Sequence, residues 1–216
     1  MRRRRATLVG VLLTVSLVSL GVYATSFVST PLSQQIIINE QSFIAKLDTL
    51  EVKGRAPKTG YTRSEFGNGW LVVSGCSTRQ LVLYRDLEDV VINKDCVVLQ
   101  GTLKDPYTAK EIRYNSSQSS SVQIDHIVAL SDAWQKGAQA LSPDDREKLA
   151  NDPLNLLAVD GPTNQQKGDA DASTWLPPNK VFRCEYVTRQ VEVKIKYHLW
   201  ITNAEKESMH KVLAGC

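Results

Sequence analysis

The sequence predicts an α+β domain: a small core of two short strands and a helix, surrounded by further helices and held by disulfides. Three observations point there. Val122 to Val128 alternates apolar and polar residues as a strand does, and Asn155 to Val159 is a short apolar run that suits a second, buried strand. Asp160-Gly161-Pro162 ends that run and opens a short helix through Asn164 and Lys167, while longer helical patterns follow it. Finally, the four cysteines, Cys76, Cys96, Cys184 and Cys216, form an even set. In an oxidising compartment that means two disulfides. Four cysteines allow three connectivities, and we favour Cys76–Cys96 and Cys184–Cys216 because each pair flanks a plausible local unit. No CxxC or CxxH pair supports a zinc–cysteine site.

The start of the chain sets the compartment. Arg2 to Arg5 precede an apolar run from Ala6 to Tyr23, a basic region followed by the hydrophobic stretch of an export signal. Val22-Tyr23-Ala24 offers cleavage positions, but the run is long for a signal. Residues 1–24 therefore read as a signal peptide or as an uncleaved membrane anchor through residues 6–23. Both versions leave the rest secreted or anchored facing outside. Residues 25–41 read as a tether and 42–216 as the functional domain. The chain carries 26 basic and 23 acidic residues, a net of +3. Arg2 to Arg5 supply four of the basic ones and the first 24 residues hold no acid, so the exported part has 22 against 23, a net of −1. The basic balance belongs to the export segment and is no footprint of nucleic-acid binding. Binding to phosphates must come from local patches or a metal ion.

The elements follow in order. Phe43, Leu47 and Leu50 have helical spacing. Residues 52–66 are rich in Lys, Arg, Gly and Pro and read as a loop, in which Lys53, Arg55, Lys58 and Arg63 alternate with Tyr61 and Phe66. Such a run is either a solvated loop or a hold on a nucleic-acid backbone. Ser77 to Leu87 reads as a helix, Val97 to Leu103 as a strand, Asp105-Pro106-Tyr107-Thr108 as a turn, and Glu111 to Tyr114 as the returning strand. Asn115 to Ser121 is a Ser/Gln-rich loop. Leu130 to Ala140 reads as a helix carrying Trp134, and Ser142-Pro143-Asp144-Asp145 starts another, with Ser142 as its cap. Trp175-Leu176-Pro177-Pro178 is a rigid connector, Lys180 to Trp200 a long helix, and Thr202-Asn203-Ala204-Glu205 a capping box for the last helix.

The chemistry concentrates between Asp125 and Asp169. Asp125-His126 closes the first core strand, Asn155 opens the second, Asn164 lies nine residues later, and Lys167 three further on. Cutting a phosphodiester needs an activated water and charge stabilisation on the phosphorus and leaving oxygens. A neutral imidazole takes a proton from water near pH 7, which suits His126 as general base. Asp125 offers an anionic oxygen to a divalent ion, and Asn164 a neutral one. Asn164 and Lys167 share a helix face, from which Lys167 is expected to approach a phosphate oxygen as a point charge. Oxygen donors without a second histidine favour Mg²⁺, ahead of Mn²⁺.

This ordered set resembles the HNH, or ββα-metal (His-Me finger), nuclease superfamily, in the DH…N…NxxK branch that includes the HNH domain of RNA-guided CRISPR nucleases. The chain is also similar to small exported bacterial HNH proteins, which share runs like Asp105-Pro106-Tyr107-Thr108, Asp125-His126, Asn151-Asp152-Pro153-Leu154-Asn155-Leu156 and Trp175-Leu176-Pro177-Pro178. The superfamily core would cover about residues 97–170, and the exported-group likeness runs from about Leu47 to Cys216. The resemblance implies a metal-dependent endonuclease with DNA ahead of RNA as substrate, and no small-molecule cofactor. His126, Asn155 and Lys167 would be catalytic, with Asn155 holding the loop that carries His126, and Asp125 and Asn164 would bind the metal. The strict pattern ends in histidine where this chain has Asn164. The alternative is a catalytically silent cell-surface module that binds nucleic acid or another partner. Outside this set, Asp132, Asp160 and Asp169 read as caps or solvated residues, His198 and His210 as surface or packing residues, Arg85-Asp86 as local pairing, and Trp134, Trp175 and Trp200 as core.

Overall fold

The computed structural model describes residues 42–216. The expected signal or anchor (1–24) and tether (25–41) lie outside the described residues. A helix, α1, covers 42–48. It is followed by the irregular segment 49–71, which contains one 3₁₀ turn, Arg63–Phe66. Strands β1 (Val72–Val73) and β2 (Cys76–Ser77) form a minimal antiparallel pair leading into α2 (Thr78–Asp86). The Ser77 hydroxyl caps α2 by accepting from Gln80 N–H. Strands β3 (Leu87–Ile92), β4 (Val98–Lys104) and β5 (Glu111–Asn115) make an antiparallel sheet in that order. The strand β3 is absent from the sequence reading. Leu-Glu-Asp-Val-Val-Ile lacks alternation, buries only Leu87 fully, and pairs through β4 alone with shifts in register.

The central pair is β6 (Val122–His126) with β7 (Leu156–Asp160), antiparallel, with Asp125 opposite Leu157 and His126 opposite Leu156. Expected to be half-buried, β6 is buried at four of its five positions. Both faces of the pair meet a core. Val122, Ile124, Leu156 and Ala158 pack with Leu83, Leu103 and Tyr114, while Leu157 and Val159 pack with Leu47, Tyr107, Tyr186 and Met209. A third apolar cluster, around Phe66, Trp134, Leu149 and Val193, lies under the 3₁₀ turn. Between the strands run α3 (Leu130–Gln135) and α4 (Pro143–Asn151), the latter capped by Ser142. The helix expected from Leu130 to Ala140 breaks at Gly137, where φ is +122° and a Cβ would meet the Trp200 ring at 3.3 Å.

After β7 comes α5 (Gly161–Lys167), capped by Asp160, whose carboxylate accepts from Thr163 N–H at 2.9 Å. A Cβ on Gly161 would stand 2.1 Å from the Ser120 carbonyl, so this close approach requires glycine. Helices α6 (Arg183–Lys196) and α7 (Asn203–Leu213) complete the domain. Thr202 caps α7, but Glu205 does not return to it. Its carboxylate is fully buried against Lys136 and Lys194. The disulfides are Cys76–Cys96 and Cys184–Cys216, the favoured pairing. No helix among the described residues is long and apolar enough to cross a membrane.

Candidate active site

Residues 126–128, where β6 ends, are pinned by bonds from three elements. His126 O accepts from the Lys167 ammonium at 2.8 Å. Ile127 N–H donates to Asn155 O at 2.8 Å, and Ile127 O accepts from the Gln190 amide at 3.0 Å. Val128 N–H donates to Asn155 Oδ1 at 2.8 Å, and the Asn155 amide donates back to Val128 O and to Leu149 O. Asn155 is completely buried, and its amide is spent on backbone. Gln190, on α6, has no sequence signal that separates it from other polar helix residues.

The imidazole of His126 makes one side-chain bond, from Nε2 to the Ala150 carbonyl at 2.9 Å. A carbonyl only accepts, so Nε2 carries the proton and Nδ1 keeps a free lone pair. Nδ1 has no protein partner among the described residues. The Trp70 ring lies parallel to the imidazole, at 5.9 Å between centroids and 3° between planes. Burial, aided by the nearby charges of Arg63 and Lys167 and opposed by the Ala150 bond, pushes the His126 pKa down to about 3 and keeps the ring neutral.

His126 lines two cavities, as do Arg63 and Leu130. One, of about 100 Å³, is lined by Arg63, Phe66, Gly67, Gly69, Trp70 and Ala150. The other, of about 340 Å³, is polar and is lined by Asp125, Gln123, Asn164, Ser131 and Asp169, together with Tyr61 and Arg63. Asp125 and His126 should face opposite sides of an ideal strand. They border the same cavity because the strand ends there.

Asp125, Asn155, Asn164 and Lys167 all gather around His126, though not all in the expected posture. The Asp125 carboxylate is buried. Oδ1 accepts from Lys167 at 2.9 Å and Oδ2 from the Tyr107 hydroxyl. Lys167 therefore differs from the expected phosphate contact: its ammonium is buried and its charge is spent on Asp125 and the His126 carbonyl. Asn164 donates to Gln123 Oε1 at 2.9 Å, and Asn164 Oδ1 has no partner among the described residues. Tyr107 is anchored by the turn read from sequence. Asp105 accepts from Thr108 N–H and from Asp160 N–H, tying the turn to the end of β7.

Among the described residues no cluster of three His, Cys, Asp or Glu side chains is placed to hold a metal ion. The donors present are the Asp125 carboxylate, with a lone pair left on each oxygen, and the free amide oxygen of Asn164. This set fits a hard divalent ion that keeps most of its own water and is completed by substrate phosphate.

The remaining candidates fall to structural roles. Asp160 is a cap, and Asp132 joins Lys136 in a buried ionic group. Asp169 pairs with Lys58 at the cavity rim, and His210 pairs with Asp48. Arg85 pairs with Asp86 and also donates to the carbonyls of Pro153 and Leu156. In the loop 52–66, Lys53, Arg55 and Lys58 are each paired with carboxylates, whereas Arg63 has no partner among the described residues. Trp70 had no signal in the sequence, because a tryptophan between Gly69 and Leu71 does not reveal the ring it will stack on.

Comparison with known proteins places the chain among relatives and in a family. The chain is similar to an "uncharacterized secreted protein" of Arthroderma benhamiae, 36% identical over 173 residues, which cover 79% of this chain and 82% of the relative. No solved structure matches. Residues 78–212 match the family described as the C-terminal domain of GmrSD restriction endonucleases. The chain belongs to that family.

Proposed function

We propose that the protein is an exported, metal-dependent endonuclease that hydrolyses phosphodiester bonds in nucleic acid, DNA ahead of RNA, on an HNH-type ββα core formed by β6, β7 and α5. One observation carries this reading. The Nε2–H of His126 is fixed on a backbone carbonyl while its ring lines a polar cleft shared with Asp125 and Asn164. An imidazole so held has one tautomer, with Nδ1 unprotonated, which is the form a general base needs. Asp125 and Asn164 would hold Mg²⁺, or Mn²⁺, which when bound supplies charge stabilisation at the phosphate. Asn155 and Lys167 act as positioning residues, since both bond the backbone at 126–128. The restriction endonuclease family supports nuclease activity, and the secreted relative together with two disulfides supports export.

Purified protein should nick plasmid DNA with Mg²⁺ or Mn²⁺ and stop when EDTA is added. His126→Ala should lose roughly 10²–10⁴-fold in rate while keeping its circular-dichroism spectrum. Undiminished cleavage by that variant would remove His126 from its role.

One observation favours the second reading, a silent binding module: both oxygens of Asp125 are already bonded within the protein. Oligonucleotide binding without metal-dependent cleavage would establish that reading instead.

A further inference from the structure

We infer that residues 61–70, outside the matched family domain, form the second wall of the substrate cleft, and that Arg63 on this wall binds a phosphate of the polynucleotide. The inference rests on the nuclease reading and supplies the anion contact that Lys167 cannot make. The family match begins at Thr78, so the wall is built by a segment that precedes it.

The charge balance of the cleft singles out Arg63. Its two acids are each paired, Asp125 with Lys167 and Asp169 with Lys58. Arg55, from the same loop, is held by Asp132 and Asp171. Arg63 has no hydrogen-bond or ion-pair partner among the described residues, yet it lines both cavities that meet at His126. Among the described residues it is the uncompensated positive charge lining the site. A guanidinium there offers a planar set of donors that matches a phosphate.

The wall is rigid, as a binding residue's support should be. Arg63 begins the 3₁₀ turn whose last residue, Phe66, is buried with edge-on ring contacts of 6.3 Å to both Tyr61 and Trp134, which meet each other edge-on at 6.1 Å. Arg146 on α4 clamps the same turn, donating to the Glu65 carbonyl at 2.7 Å and to its carboxylate at 3.1 Å. The backbone that carries Arg63 is thus fixed before substrate arrives, which lowers the ordering cost of binding. Gly67 and Gly69, at φ of +92° and +115°, turn the chain so that Trp70 covers one face of the His126 ring.

The test compares wild type, Arg63→Gln, Arg63→Lys and, as a charge control on α7, Lys211→Gln. Binding of a fluorescent DNA oligonucleotide is measured in EDTA over a range of salt, and cleavage in Mg²⁺. Arg63→Gln should weaken binding about tenfold and reduce the slope of log K against log salt by about one. Its cleavage should fall at least as far, with unchanged melting temperature. Arg63→Lys should recover part of the loss, and Lys211→Gln should behave as wild type. Wild-type binding and cleavage by Arg63→Gln, or equal losses in Lys211→Gln, would overturn the assignment while leaving the nuclease reading intact. A wild-type protein that neither binds nor cuts would overturn the nuclease reading and this inference with it.

Discussion

A histidine buried at the end of a strand must place two ring nitrogens, and His126 treats them differently: Nε2 meets the Ala150 carbonyl and Nδ1 is left free. The ring's low pKa has a consequence for stability. Between pH 6.5 and about 3 the unfolded chain binds a proton on this ring that the folded chain does not. The folded state is therefore not penalised above pH 6.5 and loses stability as pH falls from there through about 3. Denaturant melts of wild type and His126→Gln between pH 7 and 4.5 should show a shallower loss in the variant. Lys167 makes a second expectation. Lys167→Met leaves the Asp125 carboxylate buried beside only the Tyr107 hydroxyl, which should destabilise the protein by about 3–5 kcal/mol, measured by urea unfolding. The shared face of Asn164 and Lys167 was legible from their spacing. That the lysine turns inward was not, because the partner that draws it in lies 42 residues away in sequence.

At the scale of elements, the loop after β6 is a joint between strand, helix and loop, and Asn155 is its fastener. Asn155→Ala orphans the Val128 N–H and carbonyl groups, each buried loss costing about 1–3 kcal/mol. It should lower both melting temperature and cleavage rate. Ser142→Ala, at the exposed cap of α4, should cost only about 1 kcal/mol and leave the rate unchanged. Elements with local signals were readable: Ser142 as a cap, Asp160-Gly161-Pro162 as the start of α5, and the Asp105 turn. Those defined by distant contacts were not. The edge strand β3 owes its conformation to pairing with β4, and α3 stops where Trp200 closes over Gly137. In the capping box, the Thr202 half was legible. The Glu205 half was not, because a buried lysine pair takes the carboxylate.

For the molecule as a whole, the disulfides and an ionic group in the interior hold the parts of the domain that β6 and β7 do not. Cys184–Cys216 ties the last residue to the start of α6 across 32 residues, and replacing both with serine should cost about 3 kcal/mol in urea unfolding. The change should leave cleavage at 20 °C near wild type, since neither cysteine borders the cleft. The even cysteine count made this visible from sequence. The cluster of Lys136, Lys194, Asp132, Asp171 and Glu205 was not visible, because nothing in their spacing marks five charged residues for burial together. All of this scaffolding converges on one ring whose two nitrogens have distinct duties. The most direct test is the ¹⁵N spectrum of the His126 imidazole in labelled protein at pH 7. The account predicts a protonated Nε2 and an unprotonated Nδ1. A ring protonated at Nδ1, or at both nitrogens, would contradict it.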